Sequence, residues 1–175
     1  MSIERDFIES TASKMREYRK LAEDAMAQLS ADQLRYQPNE TSNSVAQIIT
    51  HMAGNMKSRW TNFLTEDGEK IWRRRDDEFM PAQAGTDELM QTWASGWEVF
   101  FSALENLQDA DLGKTVFIRQ QPLTVTDAIT RQLAHYSMHI GQIVYLAKMM
   151  RNQDWKTLSI PKGQSEQYNA SLRKT

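Results

Sequence analysis

Three histidines are the residues of this chain best suited to chemistry, and two of them are spaced as His135-x-x-x-His139. Both lie in the segment from Thr124 to Met150, whose apolar pattern predicts a long helix. A spacing of four residues is a rotation of about 400°, so both imidazoles share one face and can bind a single metal ion. The third histidine, His51, lies in a second helical segment, Ser44 to Leu64. If the two helices pack together, the three histidines can form one site with coordination positions left for water or substrate.

Each histidine also has a purely structural interpretation. A single histidine on a helix is usually a satisfied core or surface residue, so His51 alone would be weak evidence for a metal. The pair His135 and His139 is stronger evidence, because the rest of its helix is largely apolar and both rings need polar partners. The sequence pattern does not itself show that His51 lies near this pair.

Composition limits the class of protein. With 175 residues, of which 40% are hydrophobic, the chain is long enough for one domain with its own core, residues 1–175. Its formal net charge of -2, from 21 Lys+Arg and 23 Asp+Glu, gives no electrostatic reason to expect a nucleic acid or membrane partner. One of the two longest uncharged stretches, Gln132 to Ala147, contains histidines and glutamines and is shorter than the about 20 apolar residues of a membrane span.

The amino terminus and the cysteine count bear on location. Residues Met1 to Asp6 contain no basic region followed by an apolar stretch, so we expect a cytoplasmic protein. The chain has no cysteine, which fits a reducing compartment. The same absence excludes a disulfide framework, a zinc ribbon and a cysteine nucleophile, so any metal must be bound by histidine, carboxylate or amide groups.

Four long amphipathic helices can be predicted to position the histidines. They span Ile3 to Leu29, Ser44 to Leu64, Thr86 to Leu107 and Thr124 to Met150, with a β-like run at Thr115 to Ile118 and a short closing helix at Ser165 to Leu172. Helix-capping residues support three of the starts: Ser44 with Gln47, Thr86, and Thr124 with Asp127. We therefore predict an all-α protein whose fold is a single up-and-down four-helix bundle.

A charged connection of about 20 residues, Thr65 to Gly85, separates the second and third predicted helices. In it, three arginines (residues 73–75) precede three acidic residues (residues 76–78), and the simplest interpretation is a solvated loop whose charges pair with one another. Alternatively, one or two of the arginines face the cleft and hold a carboxylate or phosphate. The candidates for such cofactor or cosubstrate binding are Arg73, Arg74, Arg59 and Arg131.

Two runs together carry a resemblance to a known family. Residues 44–53, which contain His51, and the run His135-Tyr-Ser-Met-His139-Ile-Gly141-Gln142-Ile143 resemble the DinB/YfiT superfamily of metal-binding four-helix bundles. Residues 65–79 and 158–168 resemble an uncharacterised branch of it. The resemblance implies a left-handed bundle, a zinc or nickel site formed by His51, His135 and His139, and a homodimer. Characterised relatives, from other branches, include thiol S-transferases and a mycothiol-dependent isomerase.

The expected function is that of a metal-dependent enzyme acting on a small molecule. Three neutral imidazoles leave the full charge on the ion, which lowers the pKa of a bound thiol or water. With no cysteine in the chain, a sulfur nucleophile would come from a low-molecular-weight thiol, and the reaction would transfer it to an electrophile. One alternative is metal-dependent hydrolysis, although no motif identifies a general base. A second alternative is a stress-related, non-catalytic metal-binding dimer whose site is closed by a fourth ligand.

Overall fold

The computed structural model describes residues 1–81 and 83–173, and these are mostly helical with one small two-stranded sheet. The elements are α1 (Ile3–Met26), α2 (Ala31–Arg35), α3 (Val45–Trp60), α4 (Thr86–Glu105), β1 (Thr115–Ile118), β2 (Gln121–Thr124), α5 (Val125–Arg151) and α6 (Ser165–Leu172). A 3-10 helix at Arg75–Phe79 lies in the connection between α3 and α4. No helix among the described residues has the length and apolar character needed to cross a membrane.

The helix that carries His51 begins as predicted. The Ser44 hydroxyl accepts a hydrogen bond from the backbone N–H of Gln47 at 3.2 Å, and the Gln47 side chain accepts one from the N–H of Ser44 at 2.8 Å. This capping box satisfies two backbone donors at the start of α3. The helix ends at Trp60, earlier than the predicted Leu64, because Asn62 has a φ of 50° and interrupts the helical backbone.

The first predicted helix was also too long. α1 ends at Met26 rather than Leu29, and the short helix α2 follows it. Ser30 and Gln33 form a second capping box, with backbone-to-side-chain hydrogen bonds of 3.2 and 2.9 Å. That Ser-x-x-Gln spacing is visible in the sequence and could have predicted α2.

The all-α prediction is broadly confirmed, with one small two-stranded sheet beside the helices. β1 has the predicted bounds, but it pairs in antiparallel register with β2, which was not predicted because it contains Pro122. The two turn residues, Arg119 and Gln120, have φ values of 54° and 61°, as a tight hairpin turn requires. β2 leads directly into α5, whose predicted cap is confirmed by a 3.0 Å hydrogen bond from the Asp127 N–H to the Thr124 hydroxyl.

The four long helices pack side by side, α3 mainly against α4 and α1 mainly against α5, with further contact between α3 and α5. The buried core includes Met56 and Trp60 of α3, Trp97 of α4 and Ile140 of α5. α3 and α4 approach closely at Gly96, where an added Cβ would lie 2.8 Å from the Cα of Ala53. The close packing of α4 against α3 therefore depends on Gly96, which faces Ala53, and Ala53 is two residues after His51.

Replacing Gly96 with alanine should lower the free energy of unfolding by about 1–3 kcal/mol, because the added methyl group must push α4 away from α3. The control is Gly141→Ala in α5, where no atom lies within 4 Å of the added Cβ. That change should instead raise stability by up to about 1 kcal/mol, because alanine favours a helix more than glycine does. Urea denaturation measures both, and equal effects of the two changes would refute the close contact at Gly96.

Candidate metal centre

The three histidines that the sequence singled out come together between α3 and α5. One ring nitrogen from each of His51, His135 and His139 lies within 4.8 Å of the others. His51 and His139 are 5% and 8% exposed, and His135 is half-buried. The expectation that α3 brings His51 to the pair on α5 is therefore met. The three residues lie close enough to bind one metal ion.

Hydrogen bonds orient all three rings in the same sense. Nδ1 of His51 faces the Glu78 carboxylate at 3.0 Å, Nδ1 of His139 faces the Gln142 Oε1 at 2.8 Å, and Nδ1 of His135 faces the Gln132 Oε1 at 3.3 Å. Because each oxygen accepts a hydrogen bond, each Nδ1 carries a proton, and Nε2 is then the atom of each neutral ring that has a lone pair.

The Nε2 atoms of His135 and His139 are 3.1 Å apart. Two lone pairs at that distance repel each other unless a cation lies between them. Two ligands of a tetrahedral zinc ion, with bonds of 2.0–2.1 Å, are separated by about 3.3 Å. The residues therefore fit a divalent ion, and the oxygen partners on Nδ1 are those that metal-binding histidines ordinarily have.

The surroundings of His135 and His139 keep their imidazoles neutral, as metal ligands must be. Burial, reinforced by the neighbouring His139 and His51 rings and by Arg59, lowers the pKa of His135 from 6.5 to about 3. Burial also lowers the pKa of His139, although its hydrogen bond to Gln142 acts in the opposite direction. Both rings are therefore ready to bind a cation without first losing a proton near neutral pH.

The carboxylate that holds His51 is itself held by an arginine. Nε and Nη2 of Arg73 each donate to one oxygen of Glu78, both at 2.8 Å, and the two side chains are 2% and 8% exposed. Burial works against ionisation of Glu78, but its hydrogen bonds with His51 and Arg73 outweigh burial and hold its pKa below the usual range. Glu78 is therefore a carboxylate, and its charge is balanced by Arg73 rather than left free to bind a metal.

Gly54 makes room for this carboxylate. It lies one turn after His51 on α3, and a Cβ at this position would come within 2.2 Å of Oε1 and 2.8 Å of Cδ of Glu78. No side chain larger than hydrogen fits without moving Glu78 away from the helix. Gly54 is therefore part of the site although it contributes no polar atom.

A buried hydrogen-bond chain fixes α5 against α3 beside the site. The indole N–H of Trp60 donates to the Tyr136 hydroxyl at 3.1 Å, and that hydroxyl donates to Oδ1 of Asn55 at 3.0 Å. Asn55 is one turn from His51, and Tyr136 is adjacent to His135. Burial raises the pKa of Tyr136, so its hydroxyl remains a proton donor. The chain sets the alignment of the two helices that carry the histidines.

The four arginines proposed from the sequence lie in different environments. Arg73 is buried on Glu78, whereas the side chain of Arg74 is 83% exposed and pairs with Asp77 at 2.9 Å. Arg59 is buried, donates to the backbone carbonyl of Gly68 and pairs with a glutamate, Glu69, at 2.9 Å. Arg131 is exposed, and it makes no ion pair within the described part of the chain. Their role in binding a cosubstrate stays a prediction.

The connection between α3 and α4 borders the histidines, because Glu78 and Phe79 both contact His51. The charged run is partly the self-paired segment expected, since Arg74 and Arg75 pair with exposed aspartates. The Arg73–Glu78 pair is different because it is buried against His51. The ring of Phe79, next in the chain, lies 4.8 Å from the His51 ring and covers it.

Sequence reasoning missed three kinds of residue here. The glutamine partners had a signal, because Gln132 and Gln142 lie three residues before His135 and three after His139, on the same helical face. Glu78 had none, since it is 27 residues from His51 in a segment crowded with charge. Gly54 likewise could be recognised only from the position of Glu78.

The metal-free protein should lose stability as the pH falls below about 6.5. The unfolded chain protonates His135 near its ordinary pKa of 6.5, whereas the folded protein does so only near 3. Between these two pH values the unfolded state binds more protons than the folded state. The contribution of His135 to the free energy of unfolding is therefore largest above pH 6.5 and decreases toward pH 3, by at most about 1.4 kcal/mol per pH unit for one histidine.

Urea denaturation of chelator-treated protein at about pH 7.5 and about pH 5.5 measures this slope. His135→Asn is the control, because it removes the titrating ring and should flatten the slope in this window. An unchanged slope would contradict the lowered pKa of His135.

Comparisons with known proteins give a family from the sequence and a likeness in fold from the structure. The model of the DUF1572 family, described as "Protein of unknown function", matches residues 2–164. No curated protein matches the chain. The crystal structure of a conserved protein from Enterococcus faecalis is similar, with a TM-score of 0.64 and 16% identity, over 85% of this chain and 97% of that one. At that identity the likeness concerns the fold alone.

Proposed function

The chain belongs to the DUF1572 family of proteins of unknown function, and from its histidine centre we propose that it is a divalent-metal-dependent enzyme. The observation that carries the proposal is the convergence of the His51, His135 and His139 ring nitrogens within 4.8 Å of one another. We propose zinc or nickel as the ion, because borderline metals prefer imidazole ligands. We also propose that the four long helices form a DinB-like four-helix bundle.

A donor set of three histidines supports an enzyme over a closed structural site, because an ion held by it would keep a position for water or substrate. Among the described residues, the group of histidines and carboxylates that could bind one ion contains only the three histidines. Glu78, the carboxylate in contact with them, is held by both Arg73 and Nδ1 of His51. Catalytic zinc sites typically have three protein ligands and one exchangeable position, whereas structural sites have four protein ligands.

The proposed reaction is transfer of a low-molecular-weight thiol to an electrophile. A divalent ion in this site would lower the pKa of a bound thiol or water, which makes a nucleophile available near neutral pH. The chain has no cysteine, so the thiol has to be a cosubstrate. Hydrolysis is the second candidate, but Glu78 is already neutralised by Arg73 and is poorly suited to act as the general base.

The chain's own residues would hold the ligands and orient the cosubstrate. Glu78 orients His51, and the two glutamines, Gln132 and Gln142, orient the pair on α5. Arg131 lies one turn before His135 and is exposed to an acidic group, whereas the side chains of Arg59 and Arg73 are buried. We further propose a cytoplasmic homodimer; the cysteine-free composition supports the reducing compartment.

A thiol titration of cobalt-substituted protein tests this function. If a thiol enters the open position, a sulfur-to-cobalt charge-transfer band should appear, and it should be absent from the His51→Ala variant. Arg131→Gln should leave metal content unchanged, because arginine has no lone pair for a metal. It should weaken the binding only of thiols that carry an acidic group. If a broad panel of biological thiols leaves the spectrum unchanged, thiol transfer is wrong and hydrolysis becomes the leading candidate.

A further inference from the structure

A cavity of about 410 Å³ lies beside the histidine centre, between the loop that precedes α3 and the carboxyl-terminal half of α5. Its volume is within the range of small-molecule sites, about 300–1,000 Å³. The walls that matter most here are Pro38 and Asn43 of the loop, Ile48 of α3, and Gln142, Tyr145 and Met149 of α5.

Two of these lining residues, Gln142 and Ile48, also lie next to the histidines. Gln142 accepts the hydrogen bond from Nδ1 of His139 at 2.8 Å, and it also lines the cavity. Ile48 lies one turn before His51 on α3. A molecule in the cavity would therefore contact a side chain that orients one candidate ligand and a side chain next to another.

The lining of the cavity indicates what it can bind. None of the lining residues carries a charge, and none of the four arginines proposed for cosubstrate binding is among them. The wall combines an aromatic ring and a thioether, Tyr145 and Met149, with the amides of Asn43 and Gln142. Tyr145 is 70% and Met149 47% exposed, which is high for such apolar side chains. A charged group here would lose hydration with no ion-pair partner in the wall.

We propose that this cavity binds the uncharged, aromatic or aliphatic portion of the substrate, with the amides forming its hydrogen bonds. That the occupant is a substrate depends on the proposed metal-dependent function, whereas the binding of an uncharged molecule does not. A larger cavity of about 550 Å³ lies at the other end of α3, lined by residues such as Trp60, Ser102 and Leu107. It shares no residue with the histidines or their hydrogen-bond partners, so it provides the comparison site.

Two fluorescent probes that differ by one charge test the proposal on the full chain. The neutral dye N-phenyl-1-naphthylamine should bind saturably at about one per chain, and its sulfonated relative 8-anilinonaphthalene-1-sulfonate should bind at least about tenfold more weakly. Ser42→Trp, which fills the cavity, should abolish binding of the neutral dye. Ser102→Trp, which fills the comparison cavity, should leave binding unchanged. The reverse pattern, or equal binding of both dyes, would overturn the proposal.

Tyr145→Ala is a second variant, which removes one wall of the cavity without filling it. It should weaken the binding of the neutral dye at least about tenfold. Its control is Tyr168→Ala in α6, because Tyr168 is 46% exposed and lies outside this wall. If Tyr145→Ala instead leaves dye binding intact and lowers the molecular mass in solution, the exposed side chains form a surface between two copies of this chain, and the proposal is wrong.

The metal spectrum separates this proposal from the proposed function. Gln142 both lines the cavity and accepts the hydrogen bond from His139. The neutral dye should therefore shift the visible bands of cobalt-substituted protein, and it should not shift them in the Ser42→Trp variant. If the chain binds no metal, the proposed function fails, but the dye titrations of metal-free protein still decide the binding proposal. If cobalt binds and the bound dye leaves its bands unchanged, the cavity is not coupled to the site and its substrate role is overturned.

Discussion

Replacing either His135 or His139 with alanine should reduce bound divalent metal from about one ion per chain to near zero. The two Nε2 atoms are 3.1 Å apart, and with the ring of His51 they form the only group of three potential ligands close enough for one ion among the described residues. Loss of one of them leaves two protein ligands, too few for tight binding. Metal analysis of protein purified without an affinity tag, after gel filtration, measures the loss.

Two further variants complete that measurement. Met138→Ala is the matched control, because Met138 lies between the two histidines on the same helix and is 54% exposed. It should retain full metal content. Gln142→Leu should have an intermediate effect, a loss of about 10–100-fold in affinity, because it removes only the hydrogen-bond partner of a ligand. Unchanged metal content in both histidine variants would show that the metal site is wrong.

Replacing Glu78 with glutamine should lower the free energy of unfolding of the metal-free protein by about 3–5 kcal/mol. The change retains the volume of the side chain but leaves the Arg73 guanidinium, 2% exposed, with only the more distant Glu69 carboxylate, at 3.9 Å, as an opposite charge. Breaking a buried pair in this way is costly because the remaining charge stays desolvated. The same change should weaken metal binding about 10–100-fold, since it alters the acceptor that orients His51.

The adjacent residue offers the control. Asp77→Asn makes the same chemical change in a residue whose side chain is 61% exposed and pairs with an exposed Arg74. It should alter stability by no more than about 0.5 kcal/mol. The double variant Arg73→Met with Glu78→Gln should recover part of the loss, because no uncompensated charge remains. Equal destabilisation by the two acidic substitutions would exclude a special role for Glu78. Urea denaturation measures all four proteins.

The parts of the fold that follow from local patterns could be predicted. The spacing of apolar residues and the capping residues located α3, α4 and α5, and the capping predictions at Ser44 and Thr124 are confirmed. The ends of helices were less accurate, because their positions depend on single backbone angles such as the φ of Asn62. The start of α4 also differs, since Gly85 rather than Thr86 is its capping residue.

For the metal centre too, the parts that follow from local sequence patterns could be predicted. Spacing alone places His135 and His139 on one face of a helix, and the short sequence runs supported adding His51. The partner of His51 was not predictable, because Glu78 comes from the long connection between α3 and α4 and no periodic pattern describes that segment. The sequence shows that the connection is charged. It does not show which ion pair is buried, because that depends on the space that Gly54 leaves beside α3.

The orientation of the three rings has a consequence for proton exchange. Each Nδ1 donates its hydrogen to an oxygen of Glu78, Gln132 or Gln142, which leaves Nε2 as the atom of each ring that can bind an ion. A cysteine site must discard a proton for each ligand when it takes up an ion, whereas the His135 and His139 rings have none to discard near neutral pH because burial lowers their pKa. The two ligands from α5 should therefore release no protons into the medium when an ion binds near neutral pH, unlike a pair of cysteines.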